Sequence, residues 1–235
     1  GGATWARMDD VVASDLQKVQ MVDANTGYAV GSHGIILKST DGGNTWDMMP
    51  LYNLNITKRI NDLFFTNAAT GVIIGNGFTL RTTNGGTLFT PGTGITASDT
   101  LSGITFDGSN YYVSASSSIG TGKIYKSANG INWTLQSSIR TADILNVQFI
   151  NNNDGFAVGV DGNLLNTTNG GTSWIAVPTG IVNTFRNIYF KNANEAVALI
   201  DSIPGKAQLW KSFNAGKAWA LLSNPGEYFS SFYFK

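Results

Sequence analysis

Residues 16–46, LQKVQMVDANTGYAVGSHGIILKSTDGGNTW, decide how this chain folds. They end in the octet STDGGNTW, residues 39–46, in which an Asp and two glycines separate a strand-like run from an aromatic residue. An Asp or Asn side chain at a tight turn accepts hydrogen bonds from nearby backbone amides, and glycine adopts a positive φ at little cost. The octet is therefore typical of a hairpin turn, and we expect the aromatic ring to be buried beneath it.

Three short apolar runs precede the aromatic residue of the octet. They lie at residues 18–22, 28–31 and 35–38, and Gly, Asn, Asp and His residues separate them. Short runs of this kind, bounded by turn residues, favour an antiparallel meander. The stretch therefore predicts four strands, the last of which carries Trp46.

The same block occurs five times along the 235 residues. The aromatic residues that end the copies are Trp46, Phe89, Trp133, Trp174 and Trp219. Their spacing of about 41 to 45 residues is that of four-stranded propeller blades. One such sheet cannot bury both of its faces, whereas sheets packed face to face around an axis can. The sequence thus predicts an all-β propeller forming a single domain over residues 1–235, with blades at about 16–48, 60–91, 101–137, 144–178 and 185–222.

The five turn octets differ at their acidic position, and the third copy is one residue shorter. The residues at this position are Asp41, Asn84, Asn129, Asn169 and Asn214. Asn keeps the acceptor oxygen of Asp and loses its charge. Because either Asp or Asn occurs at this position, a structural, turn-forming role is favoured over acid catalysis.

The octet matches the Asp-box pattern S-x-D-x-G-x-T-W, and the GYAVG run at residues 27–31 precedes it at a fixed distance. With these features the sequence resembles the Asp-box (BNR) propellers, and among them the photosystem II stability/assembly factor-like family, over nearly the whole chain. The resemblance implies an exported scaffold or binding protein. Sialidases, sortilin-type receptors and some glycosidases share the box, so the box indicates a fold and not an activity.

Composition narrows the classes of function. Lys+Arg and Asp+Glu both number 15 and no basic tract is present, which disfavours nucleic-acid and membrane-surface binding. The absence of cysteine excludes disulfides, thiolate zinc sites and cysteine nucleophiles. His33 is the single histidine, so we expect neither a metal nor a cofactor. No apolar run approaches the roughly 20 residues that span a bilayer, so we expect no membrane insertion. Low charge with many Asn, Thr and Gly residues favours an extracellular, cell-surface or periplasmic location.

Three arginines keep a ligand-binding hypothesis open. Arg59 and Arg140 precede the innermost strands of their blades, and Arg186 is the second residue of another. Three guanidinium groups that converge near the axis would hold a carboxylate or sulfate. The alternative is three solvated arginines on connecting segments.

We expect no assembled catalytic residues. The Arg-Ile-Pro motif that sialidases carry near their start is absent, and neither Glu195 nor Glu227 has an evident tyrosine partner. The leading hypothesis is a non-enzymatic exported propeller that binds another protein or serves as a scaffold module. A carbohydrate-binding, lectin-like propeller is the second hypothesis, and a sialidase-like glycoside hydrolase is the third.

The two ends of the chain predict strands of an incomplete sixth blade. Residues 3–8 include Trp5 and match the end of an Asp box with its fourth strand. Residues 229–235, FSSFYFK, align with residues 185–191, FRNIYFK, which begin the fifth blade. The second and third strands of this blade have no counterpart, so we expect a longer polypeptide or a partner hairpin to supply them. The alternative is a closed ring of five blades with irregular ends.

Overall fold

A computed structural model describes residues 15–49, 51, 54, 56–139, 142–203 and 206–223. Within these ranges the regular structure is β-strand, apart from a 3-10 turn at Ser32–Gly34. The strands form five four-stranded antiparallel sheets, which confirms the predicted propeller of five blades. The predicted terminal strands at 3–8 and 229–235 lie outside the described residues and stay predictions.

In every sheet the four strands lie side by side in chain order. Blade one contains β1 (Leu16–Met21), β2 (Gly27–Gly31), β3 (Ile36–Ser39) and β4 (Asp47–Met48). Blade two contains β5 (Ile60–Phe65), β6 (Gly71–Gly75), β7 (Phe78–Thr82) and β8 (Thr90–Pro91). Blade three contains β9 (Thr100–Phe106), β10 (Tyr111–Ser116), β11 (Gly122–Ser127) and β12 (Thr134–Ile139). Blade four contains β13 (Ile144–Phe149), β14 (Gly155–Gly159), β15 (Leu164–Thr167) and β16 (Ile175–Ala176). Blade five contains β17 (Phe185–Phe190), β18 (Ala196–Ile203), β19 (Lys206–Ser212) and β20 (Ala220–Ser223).

The first strands of successive blades pack against one another, so they lie innermost, at the propeller axis. The second strand of each of the first four blades also packs on the first strand of the next blade. Second strands are therefore covered on both faces, and β2, β6 and β14 are buried along their whole length. This burial explains why their sequences, GYAVG, GVIIG and GFAVG, do not alternate between apolar and polar residues.

Aromatic stacking holds three of the four junctions between consecutive blades. The stacked pairs are Tyr28 with Phe65, Tyr112 with Phe149, and Phe156 with Phe190, with ring centroids 3.7, 3.8 and 3.4 Å apart. The Phe65 ring also covers Gly71, where an added Cβ would lie 2.4 Å from the ring. Glycine at the start of this second strand thus allows the ring to lie flat on the backbone.

Side-chain amides join neighbouring inner strands near the axis. The Gln20 amide accepts the Phe65 N–H at 2.8 Å and donates to the Phe65 carbonyl at 2.9 Å. Gln148 binds the backbone of Phe190 in the same way, at 2.7 and 2.9 Å. These amides therefore pair backbone groups on the axis side of a strand whose other side is paired within its own sheet.

Each first strand contains a β-bulge at its second or third residue. The bulged residues are Gln17, Asn61, Ser102, Leu145 and Arg186. A bulge redirects a side chain and increases the local twist. Two of these side chains reach the next inner strand: Asn61 donates to the Leu101 carbonyl at 2.7 Å, and Ser102 donates to the Ile144 carbonyl at 3.1 Å.

Replacing Gln148 with Leu tests the amide bridge between blades four and five. The change leaves the Phe190 N–H and carbonyl without their partner, and we expect the free energy of unfolding to fall by about 1 to 3 kcal/mol. Urea denaturation measures the loss. Gln136→Leu is the matched control, because the Gln136 amide bonds Thr134 of its own strand. Equal losses in the two variants would show that the bridge adds nothing.

Candidate functional site

The Asp boxes close the turn between the third and fourth strands of every blade. In the first box the Asp41 carboxylate accepts the Thr45 N–H at 2.9 Å and the Ser39 hydroxyl at 2.8 Å. The Ser39 oxygen in turn accepts the Gly43 N–H at 2.8 Å. In the other boxes an amide oxygen accepts a backbone N–H at 2.8 to 2.9 Å; these amides belong to Asn84, Asn129, Asn169 and Asn214. The acceptor oxygen of every box is thus engaged by its own turn.

The aromatic residues of the boxes are buried to different extents. Phe89 and Trp133 are buried, at 5% and 4% exposure, as expected. Trp46, Trp174 and Trp219 are partly buried, so burial beneath the turn is less complete for these three. Each of these residues stands immediately before the fourth strand, which is the outer edge of the sheet. The Trp174 and Trp219 rings contact Phe149 and Phe185 of the first strands of their own blades. Trp133 differs because the segment after β8 packs against it, and the backbone N–H of Trp133 donates to the Thr93 carbonyl at 2.9 Å.

A second recurring turn, which the sequence reasoning missed, lies between the first and second strands. One side-chain oxygen there accepts two backbone N–H groups at 2.6 to 2.9 Å in every blade; the residues are Asp23, Asn67, Asp107, Asn151 and Asn192. Each stands four positions before its second strand, a spacing visible in the sequence. The first box is bonded to this turn, because the Gly42 N–H donates to the Asn25 carbonyl at 2.8 Å. Both turns therefore lie at one end of the propeller, called here the box end.

Side chains of the preceding blade also form hydrogen bonds to two of the boxes. Lys38 Nζ lies 3.1 Å from the Gly85 carbonyl in the second box, and the Tyr28 hydroxyl donates nearby to the Ala68 carbonyl at 2.7 Å. In blade three, Tyr112 and Lys126 both donate to the Gly170 carbonyl at 2.9 Å. Burial raises the pKa of the Tyr112 hydroxyl, with Asp107 adding to the shift, so the hydroxyl stays protonated as a donor.

Two arginines of the ligand-binding hypothesis, Arg59 and Arg186, lie at the opposite end, where the inner strands begin. Arg186 makes a bidentate pair with Asp201, with its Nε 2.9 and 3.0 Å from the carboxylate oxygens. The Arg59 guanidinium donates to the Gln17 side-chain carbonyl of blade one. Arg140 lies outside the described residues. Asp201 thus compensates the charge of Arg186, and a shared anion site for the three arginines stays a prediction.

Among the residues that the structure describes, two carboxyl-bearing residues, Asp62 and Asp99, are buried, and both carboxyl groups are bound by protein groups. Asp62 accepts the N–H groups of Leu63 and Ile104 and lies 3.5 Å from Lys18 Nζ. Burial raises the pKa of the Asp62 carboxyl, while the Lys18 ammonium and the two N–H groups oppose that rise. These contacts connect Asp62 to the inner strands of blades one and three, which indicates a structural role.

Asp99 anchors the segment that leads into blade three. Its carboxylate accepts Lys123 Nζ at 2.9 Å and the Tyr125 hydroxyl at 2.6 Å, and its side chain is fully buried. Over the ranges that the structure describes, no group of three or more His, Cys, Asp or Glu residues is placed to hold a metal ion. The same ranges contain no helix with the length and apolarity that a membrane span requires.

The clearest departure from the repeat is on the first strand of blade one. Leu16, Val19 and Met21 are 50%, 58% and 44% exposed. The residues at the same positions of blade two are Ile60, Leu63 and Phe65, all at 2% or less, and those of blades four and five do not exceed 7%. The preceding blade covers these positions in blades two, four and five. We call the exposed residues Leu16, Val19 and Met21 the open flank.

A model of the family described as photosynthesis system II assembly factor YCF48 matches residues 2–136, more than half of the chain. The chain belongs to this family. In sequence, no curated protein matches it. This membership confirms the resemblance drawn from the Asp boxes and the GYAVG run.

Solved structures of the YCF48 family share the fold. A structure of YCF48 bound to D1 peptide is 16% identical, covers 90% of this chain and 81% of its own, and gives a TM-score of 0.55. YCF48 from Cyanidioschyzon merolae is 16% identical, with 97% and 91% covered and a TM-score of 0.56. An ancestral GH74 enzyme gives 0.74 at 18% identity, with 95% of this chain covering 33% of that one. At these identities the structures show a common propeller fold alone.

In this YCF48-family chain the first box carries a carboxyl group that titrates, that of Asp41, whereas the other four boxes have Asn at this position. Hydrogen bonds from the Thr45 side chain and N–H and from Ser39 lower the pKa of Asp41 from 3.8 to about 2. The folded value lies below the unfolded one, so Asp41 stabilises the fold above pH 3.8, and this contribution is lost as the pH falls toward 2. We expect the Asp41→Asn variant to lose less stability between pH 5 and about 2 than the wild type does.

Urea midpoints measured across that pH range check this expectation. Asp47→Asn is the control for removing one exposed carboxylate near the same turn. Parallel pH profiles for wild type and Asp41→Asn would contradict the role given to the ionised carboxylate.

Proposed function

We propose that this propeller is a non-enzymatic, exported protein-binding module that recognises an extended segment of a partner protein. The family match over residues 2–136 carries the proposal. A solved YCF48 structure contains a D1 peptide, which makes peptide recognition the function to test first. The low charge of the chain, with 15 residues of each sign, supports the exported location.

The arrangement of polar groups agrees with a binding role. The box oxygens accept backbone N–H groups of their own turns, and the buried carboxyls of Asp62 and Asp99 are held by neighbouring strands. Acid catalysis requires a carboxyl that a substrate can reach. Among the described carboxyl groups, the two that are buried serve as anchors instead.

A carbohydrate-binding propeller is the alternative that the arginines keep open. It would need Arg186 to leave Asp201 or to bind a ligand with its remaining donors. The GH74 structures support it through fold alone, at 18% identity. Peptide recognition is therefore the stronger proposal.

Selection from a random peptide library on the immobilised protein tests this function. We expect one consensus sequence to be enriched, and the synthetic peptide to bind in a one-to-one complex with a Kd of about 1 to 100 µM by calorimetry. A scrambled peptide of the same composition is the control.

A glycan array and a panel of glycoside substrates provide the opposing outcomes. Saturable glycan binding that Arg186→Ala abolishes, together with no enriched peptide, would establish the carbohydrate-binding alternative. Turnover of a glycoside that one substitution near the axis abolishes would overturn the non-enzymatic assignment.

A further inference from the structure

The outer strand of blade three is longer than the other four outer strands. β4, β8 and β16 each contain two residues and β20 contains four, whereas β12 contains six. An outer strand has a neighbouring strand on one side only, so its other edge carries N–H and carbonyl groups that the sheet does not pair. Among the described sheets, blade three therefore presents the longest open backbone edge.

The prolines of the sequence show how the other outer edges end. A proline stands two positions after β4, β16 and β20 and is the last residue of β8; these residues are Pro50, Pro178, Pro225 and Pro91. Proline has no N–H, so it discourages the addition of a further strand at an edge. No proline occurs between residues 92 and 177, and the β12 sequence, TLQSSI, contains no charged residue. The edge of blade three thus lacks the proline that protects the other four.

Backbone pairing beside this strand already begins within the chain. Thr93, in the segment after β8, forms a parallel bridge with Asn132, two residues before β12. The Thr93 N–H donates to the Ile131 carbonyl at 2.7 Å, and the Thr93 carbonyl accepts the Trp133 N–H at 2.9 Å. Beyond Trp133, no backbone group of another described segment forms a hydrogen bond to β12. An extended segment therefore pairs with the residues before β12, while β12 itself stays open.

Leu135 gives the open edge an apolar contact. Its side chain is 49% exposed, and it lies opposite Tyr125 of β11, which is buried. Thr134 and Ser138 of the same strand are exposed. An added strand would meet backbone groups along its length and one apolar side chain near the start of β12.

We propose that β12 binds an extended segment of a partner protein as a fifth strand of blade three. The proposal rests on the proposed function and names the surface and the chemistry of that recognition. The partner segment contributes about six residues in β conformation, and its main chain pairs with the free edge. An aliphatic or aromatic side chain of the segment packs beside Leu135.

A flexible segment fits this edge better than a second copy of the chain does. β12 contains a β-bulge at Gln136, between Leu135 and Ser137. Two copies related by a two-fold axis would place one bulged, twisted strand against another, whereas a free segment adapts its register to a single bulge. Thr93 also lies beside the start of the strand in each copy, and a rigid partner strand would have to avoid it.

The peptide enriched from the random library is the probe, and two N-methylated versions of it test the backbone chemistry. Successive residues of a β-strand point their N–H groups to opposite sides, so methylation of alternate residues removes the donors of one side only. By fluorescence anisotropy, we expect one version to bind at least about tenfold more weakly and the other to stay within about threefold of the parent peptide. Equal effects of the two versions would show that the segment does not bind as a strand.

Ser137→Pro tests the location. It places a proline four positions after the box aromatic, as Pro50 and Pro178 stand in blades one and four. We expect the parent peptide to bind this variant at least about tenfold more weakly. Ser223→Pro is the matched control, because Ser223 belongs to β20 and also stands four positions after its box aromatic. Equal affinities of the two variants would overturn the proposal.

Leu135→Lys keeps every backbone group of β12 and replaces the apolar contact with a charge, so it tests the same surface if Ser137→Pro does not fold. Leu221→Lys is its control, because both leucines stand two positions after their box aromatic and are 49% and 50% exposed. We expect roughly fivefold weaker binding for Leu135→Lys and unchanged binding for Leu221→Lys. Circular dichroism and melting curves establish which variants are folded.

These variants separate the inference from the proposed function. If the peptide binds Ser137→Pro and Leu135→Lys as tightly as the wild type, peptide recognition stands and its placement on β12 is wrong. If the library yields no peptide, the proposed function fails and the inference fails with it. A wild-type dimer that Ser137→Pro dissociates and Ser223→Pro leaves intact would also overturn the inference, because a second copy would then occupy the edge.

Discussion

Pairing of the backbone edges at the axis is the constraint on which this propeller depends. An inner strand has a sheet partner on one side only, and its other edge carries N–H and carbonyl groups that need partners. Gln20, Gln148 and Asp62 supply them from the preceding inner strand. The stacked rings further out, such as Phe156 on Phe190, can then bury apolar area without leaving the axis unsatisfied.

The sequence predicted what local chemistry determines. The Asp boxes recur at a constant spacing, and their acceptor side chains, such as Asp41, act within eight residues of sequence, so five blades and their turns could be predicted. The turn at Asp23 has equally local causes and was visible as an Asp or Asn four residues before each second strand.

Contacts between blades could not be predicted from the sequence alone. The partners of Gln20 and Gln148 lie more than forty residues away, and the pairing of Arg186 with Asp201 depends on the register of two strands. The partial burial of Trp46 could not be predicted either, because the repeat pattern does not specify what packs against its ring. The open flank was invisible for the same reason, since Leu16, Val19 and Met21 resemble their buried counterparts.

The two ends of the propeller differ in how much length variation they allow. At the box end, the Asp or Asn of the first turn stands four positions before the second strand in every blade, and the lengths of the boxes differ by at most one residue. At the other end, the connection between second and third strands ranges from residues 76–77 in blade two to residues 117–121 in blade three. Insertions and deletions can therefore accumulate at one end while the hydrogen bonds at the other stay intact. The same architecture can diversify its exposed loops over evolutionary time without altering how its blades are joined.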